Sequence, residues 1–93
     1  MQLGASEVIP HGAGEVVRID FHPDASASET ATLDLNGFDE TINSIRVSSS
    51  GAVFIDNTGS NNSTFTIGAD SAAATYTNTN SGTLTFRDTG SGT

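Results

Sequence analysis

Apolar residues recur two apart along most of the chain, with Asp, Arg or Thr between them. The clearest runs are Val17-Arg18-Ile19-Asp20-Phe21, Thr32-Leu33-Asp34-Leu35, Ile45-Arg46-Val47, Ala52-Val53-Phe54-Ile55, Thr64-Phe65-Thr66-Ile67, Thr75-Tyr76-Thr77 and Thr83-Leu84-Thr85-Phe86. A period of two marks a strand with one buried face. No window places apolar residues at i, i+3, i+4 and i+7 over three turns, so the pattern predicts no helix. Each run is followed by turn chemistry: NG, SSSG, DNTGSNN, GADS, NTNSG and DTGSG. From Thr32 onward the strands start roughly every ten residues, which suits a sandwich, a barrel or a solenoid.

Asn36-Gly37, set between apolar alternations, is the strongest short-range hairpin signal. A two-residue loop there would place Asp34 opposite Asp39 and Leu33 opposite Glu40. Like charges directly opposite are destabilising, and Leu33 would share its face with a carboxylate. The segment after Gly37, FDETINSI, does not alternate cleanly until Ile45. The stretch therefore reads as a corner, with Asn36 or Gly37 at positive φ, from which the chain moves to a new face.

A β-solenoid meets these requirements. Its strands pair in parallel about 4.8 Å apart, and inward residues stack into ladders. The expected inward set is Ile19, Leu33, Leu35, Ile45, Val47, Val53, Ile55, Phe65, Ile67, Tyr76, Leu84 and Phe86. The expected outward set is Arg18, Asp34, Arg46, Thr64, Thr66, Thr75, Thr77, Thr83 and Thr85. With two or three strands per coil the chain makes about three to four coils. The whole reads as one segment, with a less regular leading region over 1–30, regular repeats over 31–88 and a flexible tail over 89–93. It opens in MQLGAS and stops in DTGSGT without obvious polar caps. The expectation is either a segment of a longer solenoid or ends that stack on other copies.

Composition narrows the functional classes. The 93 residues include three Arg, no Lys and no Cys, for a formal charge of −8. That balance argues against nucleic acid and against anionic lipid, both of which need clustered cations. The lack of cysteine removes disulfides and Cys-based metal sites. Charged residues are only 15%, with Ser, Thr, Asn and Gly in their place, as in an extracellular β-rich chain. No stretch approaches the ~20 apolar residues of a membrane span. MQLGASEVIP has neither the positive charge nor the apolar run of a signal peptide.

Candidate chemistry is sparse. RIDFHPD puts Asp20 and His22 on one strand face, with Asp24 just past the proline, and His11 is the other imidazole. Two carboxylates and an imidazole suit a divalent metal. Asp56 to Asn62 is oxygen-rich, which suits calcium. Asp34 and Asp39 flank the corner, as two carboxylates would flank a sugar. The Thr64-Thr66, Thr75-Thr77 and Thr83-Thr85 pairs recur on successive strands, and a flat Thr-x-Thr ladder on a solenoid is similar to an ice-binding surface, but Asp34, Arg46 and Asp56 on the intervening strands would break such an array. No Gly-x-Ser-x-Gly elbow or phosphate-binding loop is present, and no convincing pair of catalytic carboxylates stands out.

Taken together, LGASEVIP, TLDLNGFDETINSI, GAVFIDNTG, STFTIG and SGTLTF resemble the passenger-associated β-strand repeats of bacterial autotransporters. The resemblance covers most of the chain, and LDLNGFDETINSI is its most specific piece. It implies a right-handed parallel β-helix on an exported, cell-surface, adhesin-like protein, with no catalytic residues and no cofactor. The expected function is that of a structural segment of a surface fibre. Its expected partners are copies of itself or neighbouring coils. The alternative expectation is a module binding a glycan or a surface, ice included, through outward Thr, Asn and aromatic groups.

Overall fold

A computed structural model describes residues 1–10, 18–24, 29–68, 76–78 and 82–93. Among these residues lie eight short strands: β1 (Ile19–Phe21), β2 (Thr30–Asp34), β3 (Glu40–Ile42), β4 (Ile45–Val47), β5 (Ala52–Asp56), β6 (Phe65–Ile67), β7 (Tyr76–Asn78) and β8 (Thr83–Arg87). Among the described residues there is no helix, hence none long and apolar enough to cross a membrane. The strands form three small sheets, ordered β1-β4-β7, β2-β5-β8 and β3-β6. Every pairing is parallel, and each strand pairs with the one three places on. Ile19 thus stands beside Ile45 and Ile45 beside Tyr76, while Leu33, Ile55 and Phe86 form a second register column.

The corner explains why β2 does not pair with β3. Asn36 and Gly37 both take positive φ, at 50° and 80°, as both central residues of a type I′ turn must. The N–H of Phe38 donates to the Leu35 carbonyl at 2.9 Å, closing the turn. Yet the chain does not fold back. The Leu35 N–H donates to Asp56 O and the Gly37 N–H to Asn57 Oδ1, both on the next pass of the chain. A hairpin-type turn is used here to change face. Gly59 stacks on it so closely that a Cβ would lie 2.6 Å from Asn36 C and Gly37 N.

Leu33, Leu35, Ile45, Val47, Val53 and Ile55 are buried as expected. Ile19, Phe65, Ile67 and Leu84 are partly buried and packed against them. Leu3, Ile9 and Ile42 join the core from stretches that carry no period-two signal. Two assignments are corrected. Phe86, expected inward, is 59% exposed, because among the described residues no strand covers the outer side of β8. Asp34, expected outward, is only 8% exposed, because it closes β2 at the corner, under the next pass of the chain. The side chain of Tyr76 lies outside the described residues. The last residues, expected to be flexible, are tied down: Gly90 N–H donates to Asn57 O, Gly92 N–H to Gly59 O, and Thr93 N–H to Asn62 Oδ1.

Candidate functional site

β1 alternates Ile19 and Phe21 inward with Asp20 outward, and its register sets Asp20 beside Arg46. Ser48 follows β4, and its N–H donates to the Phe21 carbonyl at 3.0 Å. This brings three side chains together. Ser48 Oγ donates to Asp20 Oδ1 at 2.7 Å, and His22 Nδ1 lies 2.8 Å from the same hydroxyl oxygen. With its proton committed to the carboxylate, the hydroxyl accepts, so His22 carries a hydrogen on Nδ1. In nucleophilic catalysis the imidazole must take the serine proton. Here the serine stands between acid and imidazole, and the order is wrong for that chemistry. Arg46 Nε sits 3.7 Å from Asp20 Oδ2, a long ion pair.

The candidate metal set is not assembled. Asp20 and His22 share Ser48, and the main chain of Asp24 is tied to Glu29: its N–H donates to Glu29 Oε1 and its carbonyl accepts the Glu29 N–H. Among the described residues no three His, Asp or Glu side chains gather as a metal would require. His11 lies outside the described residues.

The polar centre of the fold is a column at the corner. Gln2, Asp34, Asp56 and Arg87 occupy one register position on successive passes. Asp34 Oδ1 accepts the N–H groups of Asn36 and Thr58, while Oδ2 accepts the Thr58 hydroxyl at 2.6 Å and Gln2 Nε2 at 3.0 Å. Asp56 repeats this one pass later. It accepts the N–H and hydroxyl of Thr89, and Arg87 Nε at 2.8 Å. Burial pushes both carboxyls up. For Asp34 the Thr58, Gln2 and Asn36 hydrogen bonds outweigh that effect and hold the group below the ordinary aspartate value. For Asp56 the Arg87 and Thr89 contacts do the same. Arg87 also lies 4.0 Å over the Phe54 ring, so the guanidinium caps the column electrostatically and by stacking. Glu40 is a third interior carboxylate, fully buried, accepting the N–H groups of Val8 and Ile9 at 2.9 Å each.

Sequence reasoning missed these roles, although the signal was present. Asp34-x-Asn36-Gly37, Asp56-x-Thr58-Gly59 and Arg87-x-Thr89-Gly90 are one repeating corner. Asp or its substitute ends the strand, a short hydrogen-bonding residue follows two places on, and glycine permits close stacking.

The remaining candidates are spoken for or dispersed. In the Asp56–Asn62 loop the Asp56 carboxylate is saturated as above. Asn57 Oδ1 accepts the Gly37 and Gly59 N–H groups, and Asn62 Oδ1 accepts from Thr93. Asp39 is exposed and accepts the Thr64 N–H at 2.8 Å. The threonine pairs do not make one surface. Thr66 lies in the β3-β6 sheet, Thr77 in the β1-β4-β7 sheet, and Thr83 and Thr85 in the β2-β5-β8 sheet. Their rungs are also interrupted, Thr77 by Arg46 and Thr85 by Phe54. Thr64, Thr83 and Thr85 are exposed and Thr66 half-buried; Thr75 lies outside the described residues. The threonine pairs are therefore split across three sheets.

One cleft opens beside the last strand. It measures about 230 Å3 and is floored by Leu35, Ile55 and Phe65, with Phe86, Arg87 and Asp88 among its walls. The Phe65 and Phe86 rings meet at 6.3 Å with a 47° tilt. No family model, curated protein or solved structure matches the chain.

Proposed function

We propose that the chain is a run of coils of a right-handed parallel β-helix, serving as a non-enzymatic structural segment of an exported bacterial surface fibre or adhesin-like protein. The observation that carries this reading is the pairing of every strand with the strand three places on, always in parallel. A chain that wraps three faces per circuit produces that order. The shortest extent of the molecule, 16 Å, equals about three to four strand spacings of about 4.8 Å. Parallel β–connection–β units are right-handed in nearly all proteins, which supports the hand.

The mechanism is geometric. Each coil buries its apolar face on the next, and the corner carboxylates clamp successive coils by accepting N–H and O–H groups from the pass above. Carboxylates engaged in this way are withdrawn from catalysis. The Ser-, Thr- and Asn-rich exterior and the charge of −8 keep such a rod solvated and self-repelling. The autotransporter-like repeats support export and surface display.

Duplicating residues 52–82 between Gly82 and Thr83 tests the winding, because Ala52 and Thr83 hold the same register position. A β-helix accepts the extra coil: the product stays folded and lengthens along its axis by about 4.8 Å in solution scattering. A misfolded or aggregated product contradicts the reading. Antibodies against the chain, applied to intact and lysed source cells, test the location. Labelling only after lysis overturns surface display.

A further inference from the structure

We infer that Asn36-Gly37 is a self-modification site that the stacked corner holds latent: while the corner is closed Asn36 stays an amide, and once it opens Asn36 loses ammonia and that coil is permanently marked. The sequence holds one Asn-Gly pair. Glycine has no side chain to shield its amide nitrogen, so the Gly37 nitrogen can attack the Asn36 carboxamide carbon, Cγ. An N–Cγ bond forms and the Cγ–Nδ2 bond breaks. Ammonia leaves with the proton given up by Gly37, and a succinimide ring remains. Water then opens the ring at either carbonyl, to an aspartyl residue or to an isoaspartyl one whose main chain runs through Cγ. No reactant besides water is needed.

The closed corner holds both reacting groups in place. The Gly37 N–H donates to Asn57 Oδ1 at 2.8 Å, so the proton that must leave is tied down. That acceptor is itself fixed. Asn57 is buried, its Oδ1 also takes the Gly59 N–H at 3.0 Å, and its Nδ2 donates to the carbonyls of Asn61 and Thr93. The leaving nitrogen is held as well, since Asn36 Nδ2 donates to Leu3 O at 3.2 Å. The Asn36 N–H is fixed on Asp34 Oδ1 at 2.9 Å. The pair thus sits between an earlier and a later pass of the chain, bonded to both. Swinging Cγ onto the Gly37 nitrogen breaks the Leu3 and Asn57 contacts together.

The product does not fit back. A carboxylate at position 36 sets an oxygen where Nδ2 now donates to Leu3 O, acceptor against acceptor. The isoaspartyl form adds a methylene to a main chain whose turn takes φ of 50° at Asn36 and 80° at Gly37. It also shifts the Phe38 N–H that closes the turn on Leu35 O at 2.9 Å. Opening of the corner is therefore reversible until the ring forms and one-way afterwards.

Mass spectrometry of the chain held at neutral pH, with acid and isoaspartyl content at Asn36 read after digestion, tests this. In buffer Asn36 is expected to react at least about a hundredfold more slowly than in denaturing guanidinium chloride, because reaction then waits on local opening. Asn57→Ala, with circular dichroism unchanged, is expected to speed the reaction about tenfold, the factor that corresponds to one lost hydrogen bond of about 1.4 kcal/mol. If that variant does not fold, hydrogen exchange at the Gly37 amide decides in its place: in rising sub-denaturing guanidinium, exchange and loss of the Asn36 amide are expected to accelerate together. Chain in which Asn36 has reacted, returned to buffer, is expected to melt lower than chain passed briefly through denaturant. Four results would each overturn the inference: equal rates in buffer and denaturant, a folded Asn57→Ala no faster than wild type, exchange and modification that do not track each other, or a reacted chain that melts as fresh chain does.

Discussion

Replacing Asp34 by Ala removes the acceptor that joins three passes of the chain at the corner. The carboxylate takes hydrogen bonds from Asn36 N–H (2.9 Å), Thr58 N–H (3.1 Å), Thr58 Oγ (2.6 Å) and Gln2 Nε2 (3.0 Å). Hydrogen bonds to a charged group contribute about 1.5–3 kcal/mol each when protected, and they do not add. Gln2 is exposed, so its share is small. The expected loss is about 3 kcal/mol for Asp34→Ala, a large part of the 5–15 kcal/mol that holds a typical domain. Asp34→Asn keeps one carbonyl oxygen for the two N–H groups and is expected to cost about 1 kcal/mol. Urea unfolding near neutral pH measures both. The pH dependence follows from the depressed carboxyls of Asp34 and Asp56. A group whose folded pKa lies below its unfolded value stabilises the fold above the unfolded value, about 3.9 for Asp. That stability is lost as pH falls through the folded values beneath it. The wild type therefore weakens steeply in acid, and the Asp34→Asn, Asp56→Asn double variant has a flatter acid limb. An Asp34→Ala protein within about 0.5 kcal/mol of wild type, the usual range of a neutral surface change, would refute the clamp.

Changes at Glu40, Gly59, Ile55 and Phe86 probe separate parts of the fold. Glu40→Ala strands the N–H groups of Val8 and Ile9 beside the core and is expected to lower urea stability by about 2–4 kcal/mol, with Glu40→Gln losing less. Gly59→Ala forces a Cβ to 2.6 Å from the backbone of Asn36 and Gly37; a thermal melt should show a loss of about 2 kcal/mol or more, and an unchanged melt would contradict the stacked corner. Ile55→Ala, at 2% exposure, is expected to cost about 2–5 kcal/mol, whereas Phe86→Ala at the open end costs the isolated chain less than about 1 kcal/mol. Equal losses for the two would mean that β8 is covered.

The sequence shows most strands wherever alternation is clean. Ile45–Val47 coincides with its run, and Ala52–Asp56 and Thr83–Arg87 extend theirs by one residue. The corner at Asn36-Gly37 was legible too, because a hairpin there fails on its cross-strand pairs. A carboxylate does face the core: Glu40 is fully buried and paid for by two backbone donors. That inward acid is what hid β3, whose Glu40-Thr41-Ile42 reads as polar, polar, apolar. Asp34 was misplaced for a related reason, since a period-two rule cannot register donors that arrive from 24 residues away. Leu3 and Ile9 were missed because their stretches lack alternation, and they are buried by contact with later passes. Arg46 in the sequence already breaks a threonine array, but the scatter of the pairs over three sheets was not legible, because spacing along the chain does not reveal which sheet a strand joins.

Consecutive strands wind past one another, and strands three places apart pair. Amide-resolved NOE spectroscopy on the labelled chain measures this pairing directly. Cross-strand contacts are expected to join Val53 to Ala31 and to Leu84 in parallel register. Antiparallel contacts linking Asp34 to Asp39 and Leu33 to Glu40 across Asn36-Gly37 would establish the hairpin instead, and contradict this winding.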